Sequence, residues 1–216
     1  MRIDVYSDIS CPWCYLAVRN LRAATAQYGE ERIEVLAHPY QIDGENPERP
    51  VPVLDFLGRK YGPDRARRMS EKVTAAGAGL GVRFNNEKAL AVNTVHAHRL
   101  LWMAGREYGW RVRADVEENL FAEWFVHGGN VADAEVLVRC AVAAGVAPAR
   151  AERLVASDEY LAAVRARITE TRVECAAVPV VVFDRSTRIE HYQSSSRYLA
   201  ALLAAARTDA SGSERS

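Results

Sequence analysis

The chain has 216 residues, of which 49% are hydrophobic, and its 28 basic side chains balance its 28 acidic ones. This length suits one domain with a large insertion or two small domains, and the absence of net positive charge argues against a nucleic-acid-binding protein. No apolar run reaches the length needed to span a bilayer. Because Met1 is followed at once by a charged residue and a strand, without the apolar region of a signal peptide, we expect a cytoplasmic protein.

A Cys-x-x-Cys motif lies at the first predicted junction between a strand and a helix. The strand is predicted over residues 2–7 and the helix from about 15 to 28, with Cys11 and Cys14 between them. This spacing and context are typical of thioredoxin-fold redox proteins. Backbone N–H groups at the start of a helix lack intrahelical partners and favour negative charge, so the nucleophilic thiolate of Cys11 is stabilised. We therefore expect Cys11 to be the exposed nucleophile and Cys14 the more buried thiol that resolves the mixed disulfide.

Three residues near the motif are candidates for the same site. Pro12 suits an early helical position because it has no N–H to lose. The aromatic ring of Trp13 is expected at the rim of the site, where its face could meet a substrate. Asp8, three residues before Cys11, is a candidate for moving a proton to or from Cys14. The alternative for Asp8 is a loop acid that is stabilised near the helix N-terminus.

A zinc site is the alternative use of the two cysteines. Such a site needs four ligands, usually from a second Cys/His pair at matching spacing. Cys140 and Cys175 each stand alone in the sequence, and His96 and His98 fall on different faces of a predicted helix. No metal site is therefore predicted. A purely structural disulfide is also disfavoured, because so small a loop would constrain the unfolded chain little.

The middle of the chain is predicted to be helical. A second strand around residues 33–37 is followed by a connector over 41–52 that is rich in Pro, Gly, Asn and Glu. From Val53 to about Glu159 the pattern is helical throughout, with short loops. Asn93 is a good N-cap for one of these helices, and Cys140 is expected to be a small buried hydrophobic residue without redox work. The predicted helices cover residues 53–61, 65–76, 94–108, 113–126, 134–144, 148–155 and 159–173.

The end of the chain returns to strands. The continuous apolar run 180–183 predicts a strand buried on both faces, and residues 188–193 predict a second strand that forms a hairpin with it. A final helix is predicted over 197–207, and the small, polar residues 208–216 predict a disordered tail. Cys175 lies in the loop before the first of these strands, where packing is favoured over a regulatory disulfide.

Four stretches, in this order, resemble the FrnE-like branch of the DsbA oxidoreductase family. They are residues 3–15, 93–100, 120–125 and 178–183. The resemblance implies a thioredoxin fold that is interrupted by a helical insertion, and a thiol–disulfide oxidoreductase activity. It also implies that Pro179 is a cis-proline facing the Cys-x-x-Cys pair and that the backbone of Val178 binds an extended substrate segment. Asn93 and Thr94 are implied to face the active-site cleft, although capping alone would explain the asparagine.

We therefore expect an α/β protein with a thioredoxin-like domain over residues 1–45 plus 160–207, an all-helical insertion over 46–159 and a disordered tail over 208–216. The predicted function is thiol–disulfide exchange on a protein or small-molecule substrate, with no metal or nucleotide cofactor and with glutathione as a candidate co-substrate. One alternative is a glutathione-dependent isomerase or transferase that resembles the 2-hydroxychromene-2-carboxylate isomerases, a related branch that typically has Ser in place of the first cysteine. Another is a non-catalytic binding module or chaperone. The redox direction, the natural substrate and the oligomeric state stay open.

Overall fold

A mixed sheet with the strand order β2-β1-β5-β6 organises the fold. The computed structural model describes residues 1–44, 47 and 49–213, with side chains as far as Arg207. Strand β1 (Arg2–Ser7) pairs in parallel with β2 (Glu34–Pro39) and antiparallel with β5 (Val180–Phe183), which continues antiparallel into β6 (Thr187–Glu190). This arrangement confirms the predicted α/β class. The last strand ends before the predicted residue 193, because the chain leaves the extended conformation at His191, whose φ is 62°.

Two helices pack together against the sheet. They are α1 (Pro12–Tyr28) and α9 (Ser195–Ser213), and their apolar side chains form one core with the strands. Helix α9 extends beyond the predicted end at 207, so the predicted disordered tail is helical as far as Ser213, and residues 214–216 lie outside the described residues. Once a helix is formed, each added residue gains a hydrogen bond without a new nucleation cost, and this favours the extension.

The chain between β2 and β5 is mainly helical. A short antiparallel pair of two-residue strands, β3 (Val51–Pro52) and β4 (Leu90–Ala91), lies within the stretch predicted to be all helical, which is a correction. Strands this short carry no periodicity that a sequence pattern could reveal. The helices are α2 (Val53–Tyr61), α3 (Pro63–Ala78), α4 (Val95–Glu107), α5 (Gly109–Ala122) with a π-helix over Glu123–His127, α6 (Ala134–Ala143), α7 (Pro148–Val155) and α8 (Leu161–Glu174).

Helix α1 contributes to two apolar cores, and this places the motif between them. Its later residues, such as Leu21, join the core beside the sheet. Its first turn joins the larger core of the helical segment, where the Tyr15 ring stacks on Phe121 with ring centroids 5.0 Å apart. Both cysteines of the motif belong to this larger core. The division into a thioredoxin-like domain and an insertion stays a prediction.

Candidate active site

The sulfur of Cys11 lies at the N-terminus of α1. Cys11 is the N-cap residue, with φ of −96° and ψ of 108°, and its Sγ accepts a hydrogen bond from the backbone N–H of Cys14 at 3.3 Å. Pro12 occupies the first helical position, where its missing N–H costs nothing. The same N–H also donates to the Cys11 carbonyl oxygen at 3.0 Å, so it is shared between the two acceptors. Its position at the start of the helix favours negative charge on the sulfur.

Cys11 is buried, and the prediction of an exposed nucleophile is wrong. Its relative exposure is 5%, because it packs into the larger core and its Sγ lies 4.0 Å from the carbonyl oxygen of Val178. Val178 precedes Pro179, and the peptide bond between them is cis. The Cys11 sulfur therefore lies beside the residue that precedes the cis-proline.

Cys14 lies in the first turn of α1 and is fully buried. Burial raises the pKa of its thiol well above the ordinary value of 9.0, and the hydrogen bond and charge of the neighbouring Cys11 sulfur raise this pKa further. A backbone hydrogen bond from Asp8 lowers the pKa, whereas the charge of the Asp8 carboxylate raises it. The Cys14 thiol therefore holds its proton near neutrality. Both cysteines are free thiols in this structure.

The carboxylate of Asp8 is buried beside this pair and accepts four hydrogen bonds. One oxygen accepts from the Ser10 hydroxyl at 2.6 Å and from the Ile42 backbone N–H at 2.8 Å. The other accepts from the Ser10 backbone N–H at 3.2 Å and faces the His98 ring at 3.4 Å. Burial raises the pKa of Asp8, but the His98 ring and the other donors outweigh burial and hold this pKa below its ordinary value. Asp8 is thus an ionised acceptor.

His98 also belongs to the site, because its ring faces Asp8, and the sequence did not predict this contact. Its Nε2 lies 2.8 Å from the carbonyl oxygen of Tyr40, which can only accept, so this nitrogen carries a proton. The same nitrogen faces Asp8, and the His98 side chain is buried. His96 points elsewhere and contacts Arg99 through its Nδ1 at 2.8 Å. The available signal was the spacing of His98 four residues after Thr94, which puts both on one face of α4.

A cavity of about 260 Å³ opens beside Cys11. Pro12, Trp13, Thr94 and Val178, four of the predicted groove residues, line it. The other two predicted groove residues, Asn93 and Pro179, are not among the described residues that line the cavity. The Asn93 side-chain oxygen accepts hydrogen bonds from the Gln41 amide at 3.0 Å and from the Val95 backbone N–H at 2.8 Å. The Pro179 carbonyl accepts a hydrogen bond from the His191 backbone N–H at 2.9 Å. The N-cap residue of α4 is Thr94 and not the predicted Asn93, whose side chain instead binds the first backbone N–H of the helix and ties it to Gln41 after β2.

The far walls of the cavity come from the helical segment. Leu57 of α2, Val73 of α3, and Trp124 and Phe125 of the π-helix line it. The sequence predicted the aromatic pair as core, and both rings are buried, but they also form a wall of the site. A π-turn inside a helix often accompanies a functional site. At the rim, the Trp13 ring lies 5.5 Å from the Tyr192 ring and is only partly buried.

The part of the chain that the structure describes contains no group of three or more His, Cys, Asp or Glu side chains that could hold a metal ion. None of its helices is both long enough and apolar enough to cross a membrane.

The chain matches the family model of the DSBA-like thioredoxin domain over residues 2–208. It belongs to this family. The DSBA-like fold is shared with a probable DsbA oxidoreductase from Streptomyces coelicolor, at 28% identity and a TM-score of 0.83, over 95% of this chain and 89% of that one. The family and the thioredoxin-like fold predicted from the sequence are thereby confirmed. The chain matches no curated protein sequence.

Two more distant solved structures share the fold of this DSBA-like protein. The cytosolic disulfide reductase DsbM from Pseudomonas aeruginosa, solved with glutathione, is 20% identical with a TM-score of 0.62. A 2-hydroxychromene-2-carboxylate isomerase is 13% identical with a TM-score of 0.66. Each pair is covered over 100% of both chains. At these identities the likeness concerns the fold alone.

Proposed function

We propose that this DSBA-like protein is a thiol–disulfide oxidoreductase whose redox pair is Cys11 and Cys14. The observation that carries the proposal is the placement of the Cys11 sulfur at the N-terminus of α1, where it accepts the Cys14 backbone N–H at 3.3 Å. A thiolate is the attacking form in disulfide exchange, and such a placement stabilises it. The buried, protonated Cys14 beside it suits the second step.

In the reductive direction, the Cys11 thiolate attacks one sulfur of a substrate disulfide. A Cys11–substrate disulfide forms and the other substrate half leaves as a thiolate. Cys14 then loses its proton, its sulfur attacks Cys11, and the second substrate half leaves. The dithiol has given two electrons to the substrate and becomes the Cys11–Cys14 disulfide. The oxidative direction runs through the same intermediate in reverse.

Asp8 and His98 are proposed to assist the second step. Asp8 is ionised and its charge acts on the Cys14 thiol, so we propose its carboxylate as the acceptor of the proton that the thiol must lose. The Nε2 N–H of His98 is shared between the Tyr40 carbonyl at 2.8 Å and one oxygen of this carboxylate at 3.4 Å, and it helps to orient the carboxylate. Pro12, Trp13, Thr94 and Val178 are proposed to contact the substrate, since they line the cavity beside the nucleophile. Asn93 and Pro179 act indirectly, by holding the backbone that bears Thr94 and Val178.

No metal or nucleotide cofactor is part of this proposal, and glutathione is proposed as a thiol that exchanges electrons with the pair. We also propose a cytoplasmic location. The solved relative DsbM is a cytosolic disulfide reductase, and disulfides in that compartment are mostly transient and catalytic.

The decisive experiment equilibrates the protein with a series of glutathione redox buffers and counts free thiols by mass after alkylation. We expect one reversible two-electron transition that vanishes in Cys11→Ser and in Cys14→Ser and persists in Cys140→Ser. The absence of such a transition would overturn the proposal. Addition of glutathione to a small aromatic compound without net redox change would instead identify an isomerase-type activity.

A further inference from the structure

The cavity beside Cys11 is large enough for a substantial apolar group. An apolar protein cavity of about 150 Å³ can bind benzene, and this one measures about 260 Å³. Its walls are side chains of Leu57, Val73, Trp124 and Phe125, so contact with an apolar group would replace contact with water over most of the surface. The Cys11 sulfur borders the same space.

The charges around the cavity select against an anionic occupant. Among the described residues that line it, the charged side chains are two carboxylates, Asp8 and Asp43, and no Lys, Arg or His is present. Asp43 is already paired with Lys60. The nearby cations Lys72 and Arg65 lie over the rings of Trp13 and Tyr61 and are not among the lining residues. An anion inside the cavity would therefore meet no cation of the described lining and would approach the buried charge of Asp8, which is costly away from water. Glutathione, with its two carboxylates, is therefore a poor occupant of the cavity, and its proposed role is limited to electron exchange with the redox pair.

We propose that the substrate of the redox pair is a thiol or disulfide whose sulfur carries a neutral aryl or alkyl group, and that this group lies in the cavity. The proposal rests on the proposed function and narrows its substrate class. With an apolar disulfide, Cys11 forms a mixed disulfide with one half, the other half leaves as a thiolate, and Cys14 releases the second half. Two molecules of a hydrophilic thiol such as glutathione then reduce the Cys11–Cys14 disulfide: the first forms a mixed disulfide with one cysteine, and the second releases it as the oxidised disulfide of the hydrophilic thiol.

Two aromatic disulfides, one neutral and one anionic, provide the test. Dithiodipyridine is neutral near neutral pH, whereas dithiobis(nitrobenzoate) carries two carboxylates, and each releases a product that can be followed by its absorbance. Each enzymatic kcat/KM is divided by the rate of the same disulfide with free glutathione, which removes the difference in intrinsic reactivity. We expect the neutral disulfide to be favoured by at least about tenfold on this scale. Equal or reversed preference would overturn the proposal.

A variant that fills the cavity tests whether the preference for the neutral disulfide arises there. Val73→Phe places a ring in the cavity and should raise KM for dithiodipyridine about tenfold, while its effect on the anionic disulfide stays within about twofold. Val142→Phe is the matched control, because Val142 is on the surface of α6 and is not among the lining residues. If Val73→Phe does not fold, Leu57→Trp fills the same space from α2. An unchanged KM in a folded filling variant would contradict the assignment of the cavity.

Ligand binding to a variant that lacks both cysteines tests the cavity proposal separately from the proposed redox function. The double variant Cys11→Ser, Cys14→Ser cannot exchange disulfides but keeps the cavity. We expect it to bind the neutral thioether benzyl methyl sulfide in a calorimetric titration, and to lose this binding when Val73→Phe is added. Binding without any redox transition in the intact protein would refute the proposed function alone. A redox transition without thioether binding would refute the cavity proposal alone.

Discussion

The start of α1 and the interior of α6 each hold a cysteine that is 5% exposed, yet the two sulfurs have different surroundings. Cys11 is an N-cap residue whose sulfur accepts a backbone N–H. Cys140 lies inside α6, where backbone N–H groups are committed to carbonyls one turn earlier. Burial raises the pKa of Cys140 to about 12, with a further contribution from the charge of Glu123. Position relative to a helix end, rather than exposure, distinguishes the two thiols.

Cys175, which follows the last residue of α8, is a third buried cysteine that can be compared with Cys11. It is 1% exposed, and its sulfur accepts a hydrogen bond from the Arg188 guanidinium at 3.3 Å. Burial still raises the pKa of this thiol above its ordinary value, although Arg188 lowers it. The packing role predicted for Cys175 agrees with this burial. A nearby cation alone does not give this sulfur the environment of Cys11.

The largest expected effect comes from removing the Cys11 nucleophile. Cys11→Ser should lower the rate of disulfide reduction by at least about 10³-fold, because a hydroxyl cannot form the mixed disulfide. Cys140→Ser should keep the rate within about twofold of the unmodified protein. The measurement is turnover of dithiodipyridine with glutathione as reductant. Equal losses of reduction rate in the two variants would show that the two cysteines do not differ in function.

Alkylation tests the contrast without any substrate. At neutral pH a thiol with the pKa of Cys140, about 12, is ionised in only about one molecule in 10⁵. Iodoacetamide should therefore label Cys11 at least about 100-fold faster than Cys140 in the folded protein. Peptide mass mapping after a short labelling pulse gives both rates, and labelling of the urea-unfolded chain is the control. Similar rates in the folded state would show that helix position has no influence here.

Asp8→Asn tests the acid beside the reactive pair. Each Asp8 oxygen accepts from a backbone N–H, so either orientation of an amide turns its NH₂ group towards a backbone donor. We expect a loss of about 3 kcal/mol in the free energy of unfolding at neutral pH.

The pH dependence of this loss has a defined sign. The folded-state pKa of Asp8 lies below the ordinary value of 3.8. Its ionised form therefore stabilises the fold above that value, and the contribution is lost as the pH falls through the folded-state pKa. Urea unfolding at several pH values should show the difference between the two proteins shrinking in acid. A difference that stays constant down to acid pH would contradict an ionised Asp8.

The smallest effect is expected at Cys140 itself. Cys140→Ala removes one buried sulfur from the packed face of α6 and should cost about 1 kcal/mol of unfolding free energy, with no change in turnover. Thermal unfolding and the dithiodipyridine assay measure the two quantities. A fall in turnover with unchanged stability would give Cys140 a role that its surroundings do not indicate.

Local signals in the sequence predicted several elements with correct bounds. Residues 2–7, 53–61, 148–155 and 180–183 match β1, α2, α7 and β5, because apolar runs or Pro and Gly residues define their ends. Asp133 caps α6 through its side chain. The start of α5 was missed, since no comparable cap precedes Gly109. The strand pair β3–β4 was missed because it depends on a partner far away in the chain.

The sequence by itself determined the redox motif, its place between a strand and a helix, and the family, because each depends on residues that are adjacent along the chain. Only the tertiary structure decided that Cys11 is buried against Val178, that Asp8 faces His98, and that the nucleophile adjoins a cavity whose described lining residues include no Lys, Arg or His. These contacts join segments that are far apart in sequence. Their formation depends on how the helical segment packs against the start of α1, which no local pattern specifies.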